Sequence, residues 1–163
     1  MKILSLNCRG LGNPCTITEL HEILKIEEPK IVFLMEMRLH VRSLEFLRVF
    51  WGMNGCLGVE RHWDGYGGGL ALLWDSCVSL QIVSYSPSHI DAIVSQAGCD
   101  NWRLTGFYGN PEVALRHHSW ELLRQLNGAA DLPWLVMGDF NEVLLREEHL
   151  SRLERSSRQI ASF

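Results

Sequence analysis

The sequence has no apolar run approaching the ~20 residues that a membrane-spanning helix needs. Its opening stretch, Met1-Lys2-Ile3-Leu4-Ser5-Leu6-Asn7, turns polar too soon for a secretory signal. It has no CxxC pair, and its five cysteines (Cys8, Cys15, Cys56, Cys77, Cys99) are odd in number. That argues against a disulfide framework and for reduced thiols. The seven histidines show neither HExxH nor HxxxH spacing, so no zinc motif is present. Lysine is scarce, three residues against twelve arginines, and the net charge is −4. A general electrostatic footprint for nucleic acid is therefore lacking. These absences predict an intracellular protein, nuclear or cytoplasmic and not secreted, with no membrane partner and no small organic cofactor.

What is there describes an ordinary folded domain. The 163 residues are 47% hydrophobic and 21% charged, too apolar for intrinsic disorder and about the length of one domain, here taken as 1–163. The arginine bias suits bidentate contact with phosphate, and it suits surface ion pairs equally well.

Residues 2–6 form a short apolar run ending at Asn7, followed by a Gly/Pro/Cys loop from Cys8 to Cys15. Thr16-Ile17-Thr18-Glu19 offers a capping box, and Ile17, Leu20, Ile23 and Leu24 continue with helical spacing up to Pro29. Ile31 to Met35 reads as a second, buried strand ending at Glu36. Val41 to Phe50 reads as a short amphipathic helix, and Leu70 to Trp74 as a strand after a glycine run. Val78 to Tyr85 and Ile90 to Ser95 look like hairpin partners turned by Ser86-Pro87-Ser88. Trp102 to Phe107 is a strand ending at Tyr108, and Asn110-Pro111 signals the start of a helix through Leu126. Trp134 to Met137 is the last strand, and Glu147 to Phe163 suits a helix. Strands apolar on both faces, mixed with hairpins and helices, imply a layered sheet core covered by helices.

Four strands switch abruptly from apolar to polar where they end: at Asn7, at Glu36, at Tyr108 and at Asp139 with Asn141. Strand ends are rigid platforms on which a site can be built. Asp139 and Asn141 are two apart, so in an extended segment both point to one face. Two carboxylates, two amides and a phenol make an oxygen-rich set that suits a hard cation such as Mg²⁺.

Other constellations carry less. Gly65–Gly69 matches neither GxGxxG nor GK[ST] and reads as a tight turn. Ser88, His89 and Asp91 are triad residue types, but a triad is assembled in space, and a turn with a structural His is the better reading. His117 and His118 are adjacent on an expected helix, pointing to different sides at the surface. The six tryptophans read as core rather than base-stacking platforms, and Cys8 as a small buried thiol rather than a reactive one.

Taken in order, Asn7-Cys8-Arg9-Gly10-Leu11-Gly12, Leu34-Met35-Glu36, Gly106-Phe107-Tyr108-Gly109 and Gly138-Asp139-Phe140-Asn141-Glu142 resemble motifs of the endonuclease/exonuclease/phosphatase family. The resemblance is strongest to endonuclease domains of plant non-LTR (LINE-type) retrotransposons. It extends to Gly68–Trp74, His89-Ile90-Asp91 and Pro133-Trp134, and runs from Met1 to about Glu148.

The resemblance implies an α+β fold, a four-layer sandwich of two mixed β-sheets flanked by helices, with the site at one rim. It implies Glu36 as principal Mg²⁺ ligand beside Asn7, with Mn²⁺ as the alternative ion. It implies Asp139 as the group that orients and deprotonates water, and Asn141 as holder of the phosphate or the nucleophile. Tyr108 would contact the phosphate. DNA, through its phosphate backbone, and a following reverse transcriptase domain would be the partners. A phosphatase or RNA nuclease of the same fold is a rival reading, and a non-catalytic remnant or binding module is another.

Three departures stand out. Arg9 occupies a position where apurinic-type relatives often carry an acid, and Leu6 stands where close relatives usually have Trp. The family's closing Ser-Asp-His segment has no counterpart, so the resemblance implies a domain incomplete at its C-terminus and impaired in catalysis.

Overall fold

The computed structural model describes residues 1–60, 68–128 and 131–142. The helix expected over Glu147–Phe163 and the first part of the glycine run lie outside the described residues. The chain divides into two compact units. The first joins Met1–Phe107 to Leu132–Gly138, and the second joins Tyr108–Asp131 to the segment that begins at Asp139.

Two mixed β-sheets and three α-helices make an α+β sandwich, as expected. In the first sheet the order is β1-β2-β4-β3, from β1 (Ile3–Asn7), β2 (Ile31–Met35), β3 (Gly55–Val59) and β4 (Leu70–Trp74). β1 and β2 run parallel, joined by α1 (Pro14–Glu27), while β4 is antiparallel to both β2 and β3. Helix α1 and α2 (Leu44–Phe50, entered through a 3₁₀ turn at Val41–Ser43) bury Leu20, Leu24, Leu44 and Leu47 in one cluster with Val32, Leu34, Ala71 and Leu73 of the sheet. The alternate residues of β2, Ile31, Phe33 and Met35, are buried as well. The Phe33 ring fills the space above Gly106, so this face meets the second sheet. β2 is thus apolar on both faces because both are covered.

The second sheet has the order β5-β6-β7-β8, from β5 (Ser79–Ser86), β6 (His89–Ser95), β7 (Trp102–Tyr108) and β8 (Trp134–Asp139). β5, β6 and β7 pair antiparallel. Within the buried part of this sheet Asp91 takes both oxygens to Arg103 Nε, at 2.9 and 3.0 Å. It also accepts from Thr105 Oγ1 at 2.6 Å, and Thr105 in turn accepts from Trp134 Nε1 at 2.8 Å. Asp91 is therefore a structural ion-pair partner. His89 bonds Ser84 Oγ at 3.0 Å and Ser86 Oγ at 2.8 Å through its two ring nitrogens, which pins the hairpin. The turn with a structural His is the arrangement found. No helix among the described residues is long and apolar enough to cross a membrane.

Four local expectations need correction. Strand β3 departs from the expected element order, because Gly55 and Gly58 break its apolar pattern. Both are there for space: a Cβ on Gly55 would sit 2.1 Å from the Trp74 ring, and one on Gly58 2.9 Å from Leu44. Helix α1 starts at Pro14, ahead of the capping box, with the Asn13 side chain accepting from Cys15 N at 2.9 Å. Conversely, Asn110-Pro111 opens no α-helix. Asn110 Oδ1 accepts from Glu112 N in a local turn, and α3 (Arg116–Asn127) follows only after a 3₁₀ turn at Val113–Leu115. Finally, the rings of His117 and His118 lie 3.8 Å apart rather than on different sides of α3.

Candidate active site

The parallel register of β1 and β2 sets Asn7 level with Met35, the residue before Glu36. Both strands therefore end at the same edge of the first sheet, and their polar residues meet. Asn7 Nδ2 donates to Glu36 Oε1 at 2.9 Å, and Asn7 Oδ1 accepts from Arg9 N at 3.1 Å. The other carboxylate oxygen, Glu36 Oε2, lies 3.7 Å from the Arg38 guanidinium. Next to this pair, burial pushes the Cys8 thiol up to about 12, and the Glu36 charge adds to the effect. Cys8 is consequently a neutral thiol, not a nucleophile.

In the second unit the ends of β7 and β8 are locked backbone to backbone. Gly109 N donates to Asp139 O at 2.8 Å. Asn141 Nδ2 donates to Gly109 O at 2.8 Å, and Asn141 N donates to Asp139 Oδ1 at 2.9 Å. Tyr108, the residue before Gly109, is buried. A Cβ on Gly109 would sit 2.1 Å from Phe140 O, so only glycine lets these two segments approach so closely. In the first unit, Gly138 has φ +147° and leaves no room for a Cβ beside Phe107 O.

Five residues singled out by sequence thus fall into two groups: Asn7 with Glu36, and Tyr108 with Asp139 and Asn141. Backbone conformation adds what the sequence could not show. Five non-glycine residues among those described have positive φ: Arg9, Glu28, Glu36, Arg38 and Asn141. Glu28 is simply the left-handed cap of α1. The other four, at φ +50° to +53°, belong to the two groups or flank them. Such conformations cost about 1–3 kcal/mol each and persist where the surroundings over-determine them, often at functional sites.

Sequence reasoning gave no role to Arg38, Gly109, Arg116 or Glu142. Gly109 and Glu142 stood inside the family-like motifs. Arg116 carried no such signal, because the helix expected from Asn110-Pro111 through Leu126 places it inside the element, and only the structure puts it at the start of α3.

The Asn7–Glu36 pair fits a hard divalent cation. It offers a carboxylate and an amide, and a cationic group already stands near one carboxylate oxygen. Among the described residues no three His, Cys, Asp or Glu side chains gather into a metal cage.

Comparison with solved structures finds the same fold in several proteins. A functionally unknown conserved protein from Enterococcus faecalis V583 superposes with a TM-score of 0.67 at 20% identity, over 87% of this chain and 67% of that one. D. rerio TDP2, complexed with a single-strand DNA product, gives 0.61 at 21% identity, over 86% and 60%. The endonuclease domain of TRAS1, a telomere-specific non-LTR retrotransposon, gives 0.57 at 12%, over 86% and 59%. The chain thus spans about three fifths to two thirds of the length of these structures. No curated protein matches the sequence. The description of one family matches residues 4–159, and the chain accordingly belongs to the endonuclease/exonuclease/phosphatase family.

Proposed function

We propose that this chain is a Mg²⁺-dependent endonuclease domain that nicks DNA. The observation that carries this reading is the Asn7–Glu36 pair, held at 2.9 Å at the ends of adjacent parallel strands, with Glu36 in a strained backbone conformation. Glu36 and Asn7 would hold the ion, with Mn²⁺ as a substitute. When bound, the ion supplies Lewis-acid stabilisation of the charge that grows on the phosphate. Asp139 accepts the proton of the attacking water. Its Oδ1 already takes the Asn141 N–H, which fixes the carboxylate's direction. Asn141 uses one of its two amide hydrogens on Gly109 O and directs the other to the phosphate or the nucleophile. The Tyr108 hydroxyl donates to the phosphate as charge develops.

DNA is favoured as substrate by two structural relatives, one solved with a DNA product and one a retrotransposon endonuclease. The ordered motifs favour a plant LINE-type element, in which the nick would provide a 3′-hydroxyl for a reverse transcriptase domain.

The test is conversion of supercoiled plasmid to nicked circle by the purified chain with Mg²⁺, with EDTA as control and parallel arms offering RNA and a phosphoinositide. Weak Mg²⁺-dependent nicking, in keeping with the impairment that the resemblance implies, is expected, and it should stop in EDTA and in Glu36→Ala. Phosphate release from the phosphoinositide without nicking would transfer the reading to a phosphatase. Cleavage confined to RNA would transfer it to an RNA nuclease.

A further inference from the structure

Arg116 breaks two rules at once. It is the first residue of α3, where the helix dipole disfavours a cation and no side chain caps the helix. Its side chain is also only 9% exposed, and burial pulls the guanidinium's pKa down from its ordinary value. A charge kept in such a place must be matched by specific partners. Arg116 Nη1 donates to Glu142 Oε2 at 2.9 Å, and the Glu142 side chain is 2% exposed. Arg116 Nε and Nη2 face the carbonyls of Asn110 and Pro111, each at 3.4 Å.

These partners lie on two different segments. Asn110 and Pro111 follow Tyr108 and Gly109 at the end of β7. Glu142 follows Asn141 directly, at the end of β8. The guanidinium therefore bridges the segment after Tyr108 to the segment that carries Asp139 and Asn141. Ser119 of the same helix adds a further tie by accepting from Asn110 N at 2.9 Å. Between the two bridged segments run the Gly109 N to Asp139 O bond and the Asn141 Nδ2 to Gly109 O bond, both 2.8 Å.

We infer that Arg116 is a positioning residue: paired with Glu142, it fixes Asp139 and Asn141 relative to the end of β7 without touching substrate. The inference rests on the nuclease reading for its catalytic consequence. A planar fork with several donors is what the task needs, because a single ammonium cannot reach a carboxylate and two carbonyls together.

The test separates positioning from simple stabilisation. Arg116→Met with Glu142→Leu removes both buried charges and keeps the volume, an exchange that often leaves stability unchanged. Expected are a thermal midpoint near that of the parent chain, Gly109 N–H exchange at least ~10-fold faster, and a kcat for nicking reduced about 10–10²-fold with KM unchanged. Misplacement by about 1 Å is enough for losses of that size. Arg116→Lys keeps the charge without the fork. It should fold and show the same faster exchange and a lower kcat, which covers the case in which the double variant does not fold. Parent-level Gly109 exchange in the folded variants would overturn the inference, as would faster exchange with an unchanged kcat. If the parent chain itself does not nick, the nuclease reading fails, and Gly109 exchange alone then decides whether Arg116 holds the two segments.

Discussion

The two groups of candidate residues are held in different ways. Glu36 is held by side chains, a hydrogen bond donated by the Asn7 amide and an ion pair with Arg38, whose own side chain is 59% exposed. Asp139 and Asn141 are fixed by the backbone, through Gly109 N, Gly109 O and a glycine contact with no room for a Cβ. Side-chain contacts of the first kind can be exchanged for a new partner at little cost, as a site that must accept a hydrated cation requires. Backbone locks of the second kind hold an acid and an amide still, as proton transfer and phosphate orientation require. On the proposed reading, the chemistry of this chain divides between an exchangeable part and a fixed part.

The largest effect should come from breaking either part chemically. Glu36→Ala and Asp139→Asn are each expected to lower nicking by at least ~10²-fold, the loss typical of removing a metal-anchoring ligand or a proton acceptor. The comparison sharpens in how they respond to the ion. Raising Mg²⁺ should partly restore Glu36→Gln, which weakens binding, and leave Asp139→Asn where it was. Equal restoration of both variants by Mg²⁺, read from plasmid nicking rates, would sink the division of labour.

Much of this is legible in the sequence where one interaction dominates. β2 and β4 have the bounds that their residues alone suggest, because uninterrupted apolar runs of five residues, bounded by Lys30 and Glu36 in one case and by Gly69 and Asp75 in the other, admit few alternatives. The strand-end residues stand out because polarity changes abruptly there. Illegible are features set by partners distant in sequence. Gly55 and Gly58 hide β3, since nothing local shows that Trp74 and Leu44 fill their missing side chains. The two Asn-Pro pairs look alike, yet Asn13 caps a helix and Asn110 closes a turn. The tertiary surroundings of each pair decide between the two outcomes. For the site, residue types are visible but their mode of attachment is not. Positive φ at Glu36 and Arg38 has no sequence signature, as neither residue favours that conformation. Arg116 is hidden because its place at the start of α3 emerges only with the 3₁₀ turn that delays the helix.

A smaller effect tests the fixed part through stability. Gly109→Ala places a methyl against the Phe140 backbone, which cannot move aside as a flexible side chain would. The expected cost is about 1–3 kcal/mol, in the range of overpacking. Asn7→Ala removes one part-buried hydrogen-bonding side chain and should cost no more than about 1 kcal/mol. Thermal midpoints measured side by side check the order, each kcal/mol being worth about 2–4 °C in a chain of this size. A Gly109→Ala midpoint equal to that of the parent would mean that the approach of these segments is looser than the geometry shows.

The smallest effect concerns acid, and it guards the comparison against a misreading. His89 lies outside both groups, buried and bonded to Ser84 and Ser86. Burial holds its pKa below the ordinary value; Asp91 pulls it back up, and Arg103 pushes it further down. The unfolded chain then binds a proton near pH 6.5 that the folded chain still resists. Stability therefore rises with pH across that window and falls as pH drops below about 6.5, levelling off only under the folded pKa. A fall in nicking on acidification would thus combine protonation of the site with weakening of the fold. In His89→Gln the amide retains hydrogen bonding to the serines but does not titrate. Its urea midpoint should vary less between pH 7 and 5 than that of the parent, while the pH profile of nicking by the folded protein keeps its shape. Identical pH dependence of the midpoints would show that His89 does not couple acid to the fold, and the acid sensitivity would then have to be sought in the two groups themselves.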